Sequence, residues 1–354
     1  MAKEVKKYVP VKFDLNEEYI WGISENPCLL VKYLRTEENP IYCTLVPAQN
    51  RVGGRPFSQI KYYDGRVFLV PSRANEILMY EESKDKFVHI ELQNAEKYKG
   101  RLFFNSAFTI DEYLYCVPTH YEAVVKLNMN TLEVQNMCNP LEYFDLKDSF
   151  INDACIRNEI IYFVSPKKNQ LFSVDTKNGK MDVKEVGAGN NKYNSIAGLE
   201  NGIVLCDKKK KELVKYDLKI GKVCKVCNLP IEDARIMALG KSEIVVDAIY
   251  TSQYCILNSE LEIVFQNMDN VVDDSNSYMY GSVKNTDANI YYYDMQEKCL
   301  KKWDGKDLYS IKTLYLNEQE INKISSEILE DRNIIIRESQ IYSLENFLNG
   351  LENL

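Results

Sequence analysis

Histidine and tryptophan are nearly missing from this chain, with two of each in 354 residues. Two imidazoles, His89 and His120, cannot build a His-rich metal site. His89 falls in an outer, surface-facing run (FVHIEL), so His120 alone remains for imidazole acid–base chemistry. Glycine-rich phosphate loops, a G-x-S-x-G elbow and H-E-x-x-H are all lacking. No apolar run approaches the roughly 20 residues of a membrane-crossing helix. The opening MAKEVKKYVPVKF is charged and has no apolar centre of the kind secretory signals carry. An excess of positive charge is absent too. Lys and Arg total 44 against 52 Asp and Glu, a formal charge of −8, which sets the chain against nucleic acid.

Ten cysteines are present, but they mostly stand singly inside apolar runs, as Cys116, Cys155 and Cys206 do. Buried free thiols in a reducing cytoplasm account for that pattern better than a disulfide framework. Cys224 and Cys227 form a C-x-x-C, but KVCKVC reads as a strand, where residues three apart point to opposite faces. It also lacks the helix N-terminus that activates redox thiols. Asp111-Glu112 and Asp273-Asp274 lack calcium-loop spacing. The expectation is a cytoplasmic chain with no cofactor, no metal, no nucleic-acid partner and no membrane partner.

What the chain does have is repetition. Residues 148–186 hold four short apolar runs, FINDACI, EIIYFV, QLFSVD and KMDVKEV, separated by turn-formers such as Arg157-Asn158 and Thr176-Lys177-Asn178-Gly179. Such runs read as strands joined by tight turns. The unit recurs along the whole chain. Leu34, Glu81, Asn128 and Asp175, each closing a third run, stand 47 residues apart; Asp217, Asn258 and Asp294 follow at 42, 41 and 36. Asp, Asn and Glu suit that place because their side chains accept hydrogen bonds from the turn backbone. The second runs (YIWGIS, RVFLVP, YLYCVP, EIIYFV, GIVLCD, EIVVDA, SYMYGS) are almost wholly apolar, as strands covered on both faces should be. The outer runs alternate like half-exposed edges.

A period of 40 to 50 residues with four strands per unit resembles the β-propeller superfamily. The resemblance covers residues 8–316 and implies an all-β, seven-bladed ring of WD40-like or Kelch-like architecture. Blades fall near 8–47, 55–94, 102–139, 148–188, 192–229, 231–268 and 271–316. The Trp-Asp pair, the repeated Gly-Gly pair, the Asp-box and a Tyr-Trp-Thr-Asp signature are all missing, so the resemblance carries over no catalytic residue. Both ends are irregular, and KYVPVKFDL and DLYSIKTLYL each qualify to complete the blade begun by the other end. Residues 317–354 lose the period. NEQEINKISSEILEDRN opens like a capping box and repeats isoleucines at helical spacing, so a short α-helical tail is expected, packed on the ring or docking a partner.

The resemblance also implies that loops on one face and the central funnel bind something. The innermost strands begin with Ser58, Asn105, Asn152, Asn194 and Asp233, with Asp153, Ser195 and Arg235 beside them. These side chains serve either as a polar ligand cup or as partners for crowded backbone groups. Loops on the same face add Arg73, His120, Tyr121, Lys167, Lys208 to Lys211 and Tyr250, and the first inter-blade connection adds Arg51 and Arg55. Cations gathered on one rim of an acidic protein suit an anionic sugar, a phosphate-bearing ligand or an acidic peptide. The functional expectation is a non-catalytic scaffold holding a protein, peptide or anionic ligand. The alternative is a lyase, hydrolase or epimerase working in the funnel through Asp153, Asp233, His120 or a rim tyrosine.

Overall fold

The computed structural model describes residues 7–8, 12–23, 28–35, 40–47, 56–143, 151, 153–187, 189–232, 234–248 and 253–267, together with short strand segments between 282 and 315. Two compact units divide the chain. Lys7–Leu314 holds all the four-stranded sheets, and the other unit joins Met1–Lys6 to Tyr315–Leu354. The expected helical tail lies outside the described residues.

Among the described residues, seven four-stranded antiparallel sheets succeed one another, at 12–45, 57–91, 104–138, 153–185, 195–228, 234–267 and 282–312. In each, the four strands pair in chain order. The first strands are Lys12–Leu15, Phe57–Tyr63, Phe104–Ile110, Asp153–Arg157, Ser195–Leu199, Ala234–Leu239 and Ser282–Lys284. Each neighbours the first strand of the next sheet, and Ser282–Lys284 neighbours Lys12–Leu15. The fold is that of a β-propeller, all-β as expected.

Burial follows strand position. The second strand of sheet 5, Gly202–Asp207, is buried throughout, and those of sheets 1 to 4 and 6 are buried after their first residue. The outer strand Lys222–Asn228 alternates exposed and half-buried residues along its length. The cores lie between sheets: one cluster joins Phe68, Val70 and Met79 of sheet 2 to Leu114, Cys116 and Val125 of sheet 3. Others join sheets 1 and 2, 3 and 4, 4 and 5, and 5 and 6. A sheet too thin to bury apolar surface alone therefore gains two neighbours, at roughly 25 cal/mol for each Å² covered.

The turn chemistry behaves as its residue types require. Asn128 Oδ1 accepts from the backbone N–H of Asn130 and Thr131, at 2.9 and 3.0 Å. Asp217 Oδ1 does the same for Lys219 and Ile220, at 2.8 and 3.0 Å, and Asp175 and Asn258 cap their turns likewise. Between first and second strands, Asp64-Gly65 and Asn158-Glu159 have positive φ at both residues, as two-residue hairpins prefer.

Two expectations need correction. Among the described residues neither chain end adds a strand to the other's four-stranded sheet: Lys12–Leu15 opens sheet 1 and Leu308–Lys312 closes sheet 7, each among its own consecutive strands. In sheet 7, Asn289–Asp294 is the second strand and Cys299–Trp303 the third, so Asp294 does not close a third strand. From SYMYGS, the run expected as a second strand, only Ser282 lies within the described residues, where it opens the first strand. The fourth strand of sheet 6 ends at Asn267 and the first strand of sheet 7 opens at Ser282, one strand later than the pattern implied. With the strands reassigned, third strands end at Asn258 and Trp303, a separation of 45 residues in keeping with the earlier units.

Candidate functional site at the mouth of the first strands

Strand register decides which loops meet. Asp153 pairs with Val164, Phe57 with Pro71 and Ala234 with Ala248, so each first strand begins beside the end of the second. The starts of the first strands and the loops after the second strands therefore share one face, the mouth.

The densest polar arrangement there spans sheets 4, 5 and 6. Asp153 Oδ2 accepts from Ser195 Oγ at 2.9 Å and from the Ile196 N–H at 3.0 Å, while Oδ1 accepts from the Ala154 N–H at 2.9 Å. Ser195 Oγ accepts in turn from the Ile236 N–H at 3.1 Å. One carboxylate and one hydroxyl thus tie three successive sheets together. Burial pushes the Asp153 carboxyl up to about 6, against the opposing pull of those hydrogen bonds and of the Arg235 charge.

Arg235 is itself anchored. Its Nε donates to Asp247 Oδ2 at 2.9 Å, the two residues being paired across adjacent strands. Burial lifts Asp247 to about 6, opposed by the charge of Arg235 and its hydrogen bond. The Nη2 of Arg235 is enclosed and has no hydrogen-bond partner among the described residues. Asp207, fully buried, accepts from the N–H groups of Lys192, Lys209 and Lys210, and so fastens the lysine turn to the mouth.

Of the residues expected at this site, Asp153 and Arg235 are brought together as described. Asn194 Oδ1 accepts from the Lys208 N–H at 3.0 Å, again linking a first-strand start to its loop. Asn105 is exposed, and its carbonyl accepts from Gln59 Nε2 at 3.3 Å. Arg73 is exposed on a loop whose Ser72, Arg73 and Ala74 N–H groups all point at the Pro56 carbonyl. Lys167 is exposed beside Ser165, whose Oγ accepts its N–H.

His120 is half-buried with Nδ1 3.1 Å from the Leu102 carbonyl, which can only accept, so Nδ1 carries the proton. Burial holds this imidazole below its usual value. Tyr121 is drawn away from the mouth: it is wholly buried, stacked on Phe103 at 5.7 Å, with its hydroxyl donated to the Gln93 carbonyl. A large ring beside a two-sheet core repays burial more than exposure. Tyr193 is likewise buried, its hydroxyl donated to the Val186 carbonyl at 2.8 Å. Arg51, Arg55, Asn152, Asp233 and Tyr250 lie outside the described residues.

Asp207 and Asp247 are the residues missed at sequence level. Their signal was present: a carboxylate at or near the end of an otherwise apolar second strand, in GIVLCD and EIVVDA. A charge placed where every neighbour is buried has to meet partners. Among the described residues no group of three or more His, Cys, Asp or Glu side chains could hold a metal ion. No helix among them is long and apolar enough to cross a membrane.

No protein-family model and no curated sequence matches the chain. Solved structures do. A streptogramin B lyase aligns with a TM-score of 0.63 at 11% identity, over 87% of this chain and 95% of that one. A catalytically inactive virginiamycin B lyase variant from Staphylococcus aureus, solved with quinupristin, gives 0.61 at 11% identity, over 85% and 96%. The Pan2 WD40 domain of Neurospora crassa gives 0.58 at 12%, over 86% and 91%. At such identities the likeness concerns the fold, which enzymes and WD40 domains share.

Proposed function

We propose that this chain is a closed, seven-bladed ring acting as a cytoplasmic binding protein, and that its mouth holds a carboxylate- or phosphate-bearing group of a peptide or small ligand. The observation that carries the reading is Arg235. Asp247 fixes the guanidinium through Nε, while the Arg235 side chain keeps 26% of its surface exposed at the mouth. A guanidinium oriented in advance loses little entropy on binding an oxyanion. The exposed Arg73 and Lys167 stand on the same face and raise the local concentration of anions. Isothermal titration of the full chain with inorganic phosphate, citrate and a phosphoserine peptide tests it. At least one probe should bind, and Arg235→Ala should weaken that probe about tenfold, the worth of a charge-assisted hydrogen bond. Equal affinity for both proteins would reject the mouth as the site.

A second reading, an enzyme, draws on Asp153, whose carboxyl at about 6 suits an acid or base near neutrality. Against it, both Asp153 oxygens already accept hydrogen bonds from Ser195, Ile196 and Ala154. Incubation with quinupristin, followed by chromatography, separates the two readings. A new product that vanishes in Asp153→Asn would favour the enzyme; unchanged quinupristin leaves the binding reading in place.

A further inference from the structure

Away from the mouth, a cavity of about 430 Å³ opens on the circumference between sheets 2 and 3. One wall is the outer strand of sheet 2, Lys86–Glu91, with its continuation through Leu92 and Gln93; the other is Leu132 and Val134 of sheet 3. Lys86–Glu91 is the last strand of its sheet, so along its outer edge alternate N–H and C=O groups meet no strand among the described residues.

The two faces of this strand differ in chemistry. Val88, Ile90 and Leu92 turn toward sheet 3 and join the cluster that includes Leu132 and Val134. Phe87 turns the other way, toward the cluster shared with sheet 1, and by the two-residue period His89 and Glu91 follow it. His89 is held by Glu76 at 2.9 Å, and Glu91 is exposed.

A strand laid along this edge would place every second side chain over Leu132 and Val134, and the intervening ones beside Glu91. We propose that the groove is a docking site for an extended peptide segment of a partner protein, one that alternates aliphatic residues with Lys or Arg and adds a fifth strand to sheet 2. Pairing of main chains supplies the grip, the aliphatic side chains fill the groove, and the acid beside it selects basic residues in between. This site is separate from the anion site at the mouth: it lies on the circumference and selects the opposite charge.

Selection from a random-peptide phage library on the immobilised full-length chain tests the proposal. Enriched sequences should alternate aliphatic and basic residues, and a synthetic peptide of that pattern should bind in fluorescence anisotropy. Val134→Arg should weaken it about tenfold or more, since it fills the groove with like charge. Should that variant fold poorly, Glu91→Lys, at an exposed position, should weaken binding of the same peptide several-fold, and N-methylation of alternate peptide amides should abolish it. Arg235→Ala should leave this affinity unchanged. Enrichment of no such pattern, or loss of binding in Arg235→Ala but not in Glu91→Lys, would overturn the inference; the second outcome would assign the peptide to the mouth.

Discussion

The seam between sheets 1 and 2 and the seam between sheets 4 and 5 solve the same problem with different chemistry. Each carries a carboxylate on one first strand that accepts a backbone N–H of the next: Asp14 takes Tyr62 at 2.8 Å, and Asp153 takes Ile196 at 3.0 Å. The pins sit at opposite ends of the strands. Tyr62 pairs with Val67 near the hairpin, far from the mouth, whereas Ile196 stands one residue from the start of its strand. The cores around them differ as well. Trp21, Tyr42, Tyr62, Tyr80 and Phe87 gather at the first seam, with Trp21 stacked on Tyr62 at 6.4 Å. The second seam is largely aliphatic, built on Val164, Leu171, Ile196 and Leu205.

The aromatic seam also encloses charge. Lys32, nearly buried, pairs with Glu82 and lies 3.6 Å over the Tyr19 ring. Tyr42 and Tyr80 both donate to Asp85. These charged and hydroxyl groups at the first seam are thus engaged in holding two sheets together, while the buried Trp21 Nε1 meets no partner among the described residues. At the mouth of sheets 4 to 6, by contrast, the Arg235 side chain keeps 26% of its surface exposed beside its Asp247 partner. Both seams need inter-sheet contact, and the one whose polar groups also keep surface at the mouth is where a ligand has something to meet.

The largest expected effect separates the two cores. Trp21 is 1% exposed and touches several aromatic rings, so Trp21→Ala should lower the free energy of unfolding by about 3–5 kcal/mol in urea titration. Trp21→Phe should recover much of that. Ile196→Ala at the other seam should cost less, since fewer atoms are removed and small neighbours close in more readily. An equal loss at both positions would show that the aromatic seam has no special weight.

A second test sharpens the contrast between the pins. Asp153 titrates near 6 in the folded chain against roughly 4 unfolded. The folded state holds the proton more tightly, so this group's favourable contribution is complete below about pH 4. It is lost as pH rises through about 6, a change of about 3 kcal/mol for two pKa units. Asp153→Asn stays neutral throughout. Between pH 4 and pH 7 its stability should therefore rise relative to the wild type by up to that amount, in urea titrations at matched salt. Parallel curves for the two proteins would show that Asp153 does not titrate in this window.

The sheets were legible in sequence wherever strand chemistry repeats at a fixed interval. Apolar second strands, alternating outer strands and turn-capping Asn128, Asp175, Asp217 and Asn258 all follow from local rules. Sheet 7 was misregistered because IYYYD satisfies a second strand and a third equally well, and only its pairing with Cys299–Trp303 decides between them. The site was legible only in its inner positions. Asp153 and Arg235 stand where strand starts converge, but Asp247 acts through a cross-strand partner that periodicity does not reveal. Tyr121 looked like a loop aromatic because its burial depends on Phe103 and Gln93, contacts set by how sheets 2 and 3 pack.

The smallest effect concerns the turns that close the third strands. Asp85, Leu132, Gly179 and Gly221 occupy the same left-handed place, each four residues after the end of its strand, with φ of 48, 64, 73 and 72°. In three of them the turn is closed by the same bond, from that residue's N–H to the carbonyl four residues back: Leu132 to Asn128, Gly179 to Asp175 and Gly221 to Asp217. A Cβ at Gly221 would meet only the Tyr216 hydroxyl, at 3.7 Å, so the cost there is purely conformational. Gly221→Ala should therefore lose about 1–2 kcal/mol in thermal or urea unfolding. Leu132 carries the same conformational cost but sets its side chain against the core of sheets 2 and 3. Leu132→Gly relaxes the backbone while giving up that packing, and the two should nearly cancel, within about 1 kcal/mol. A loss at Leu132 as large as a core truncation would mean that packing, not the turn, fixes this residue.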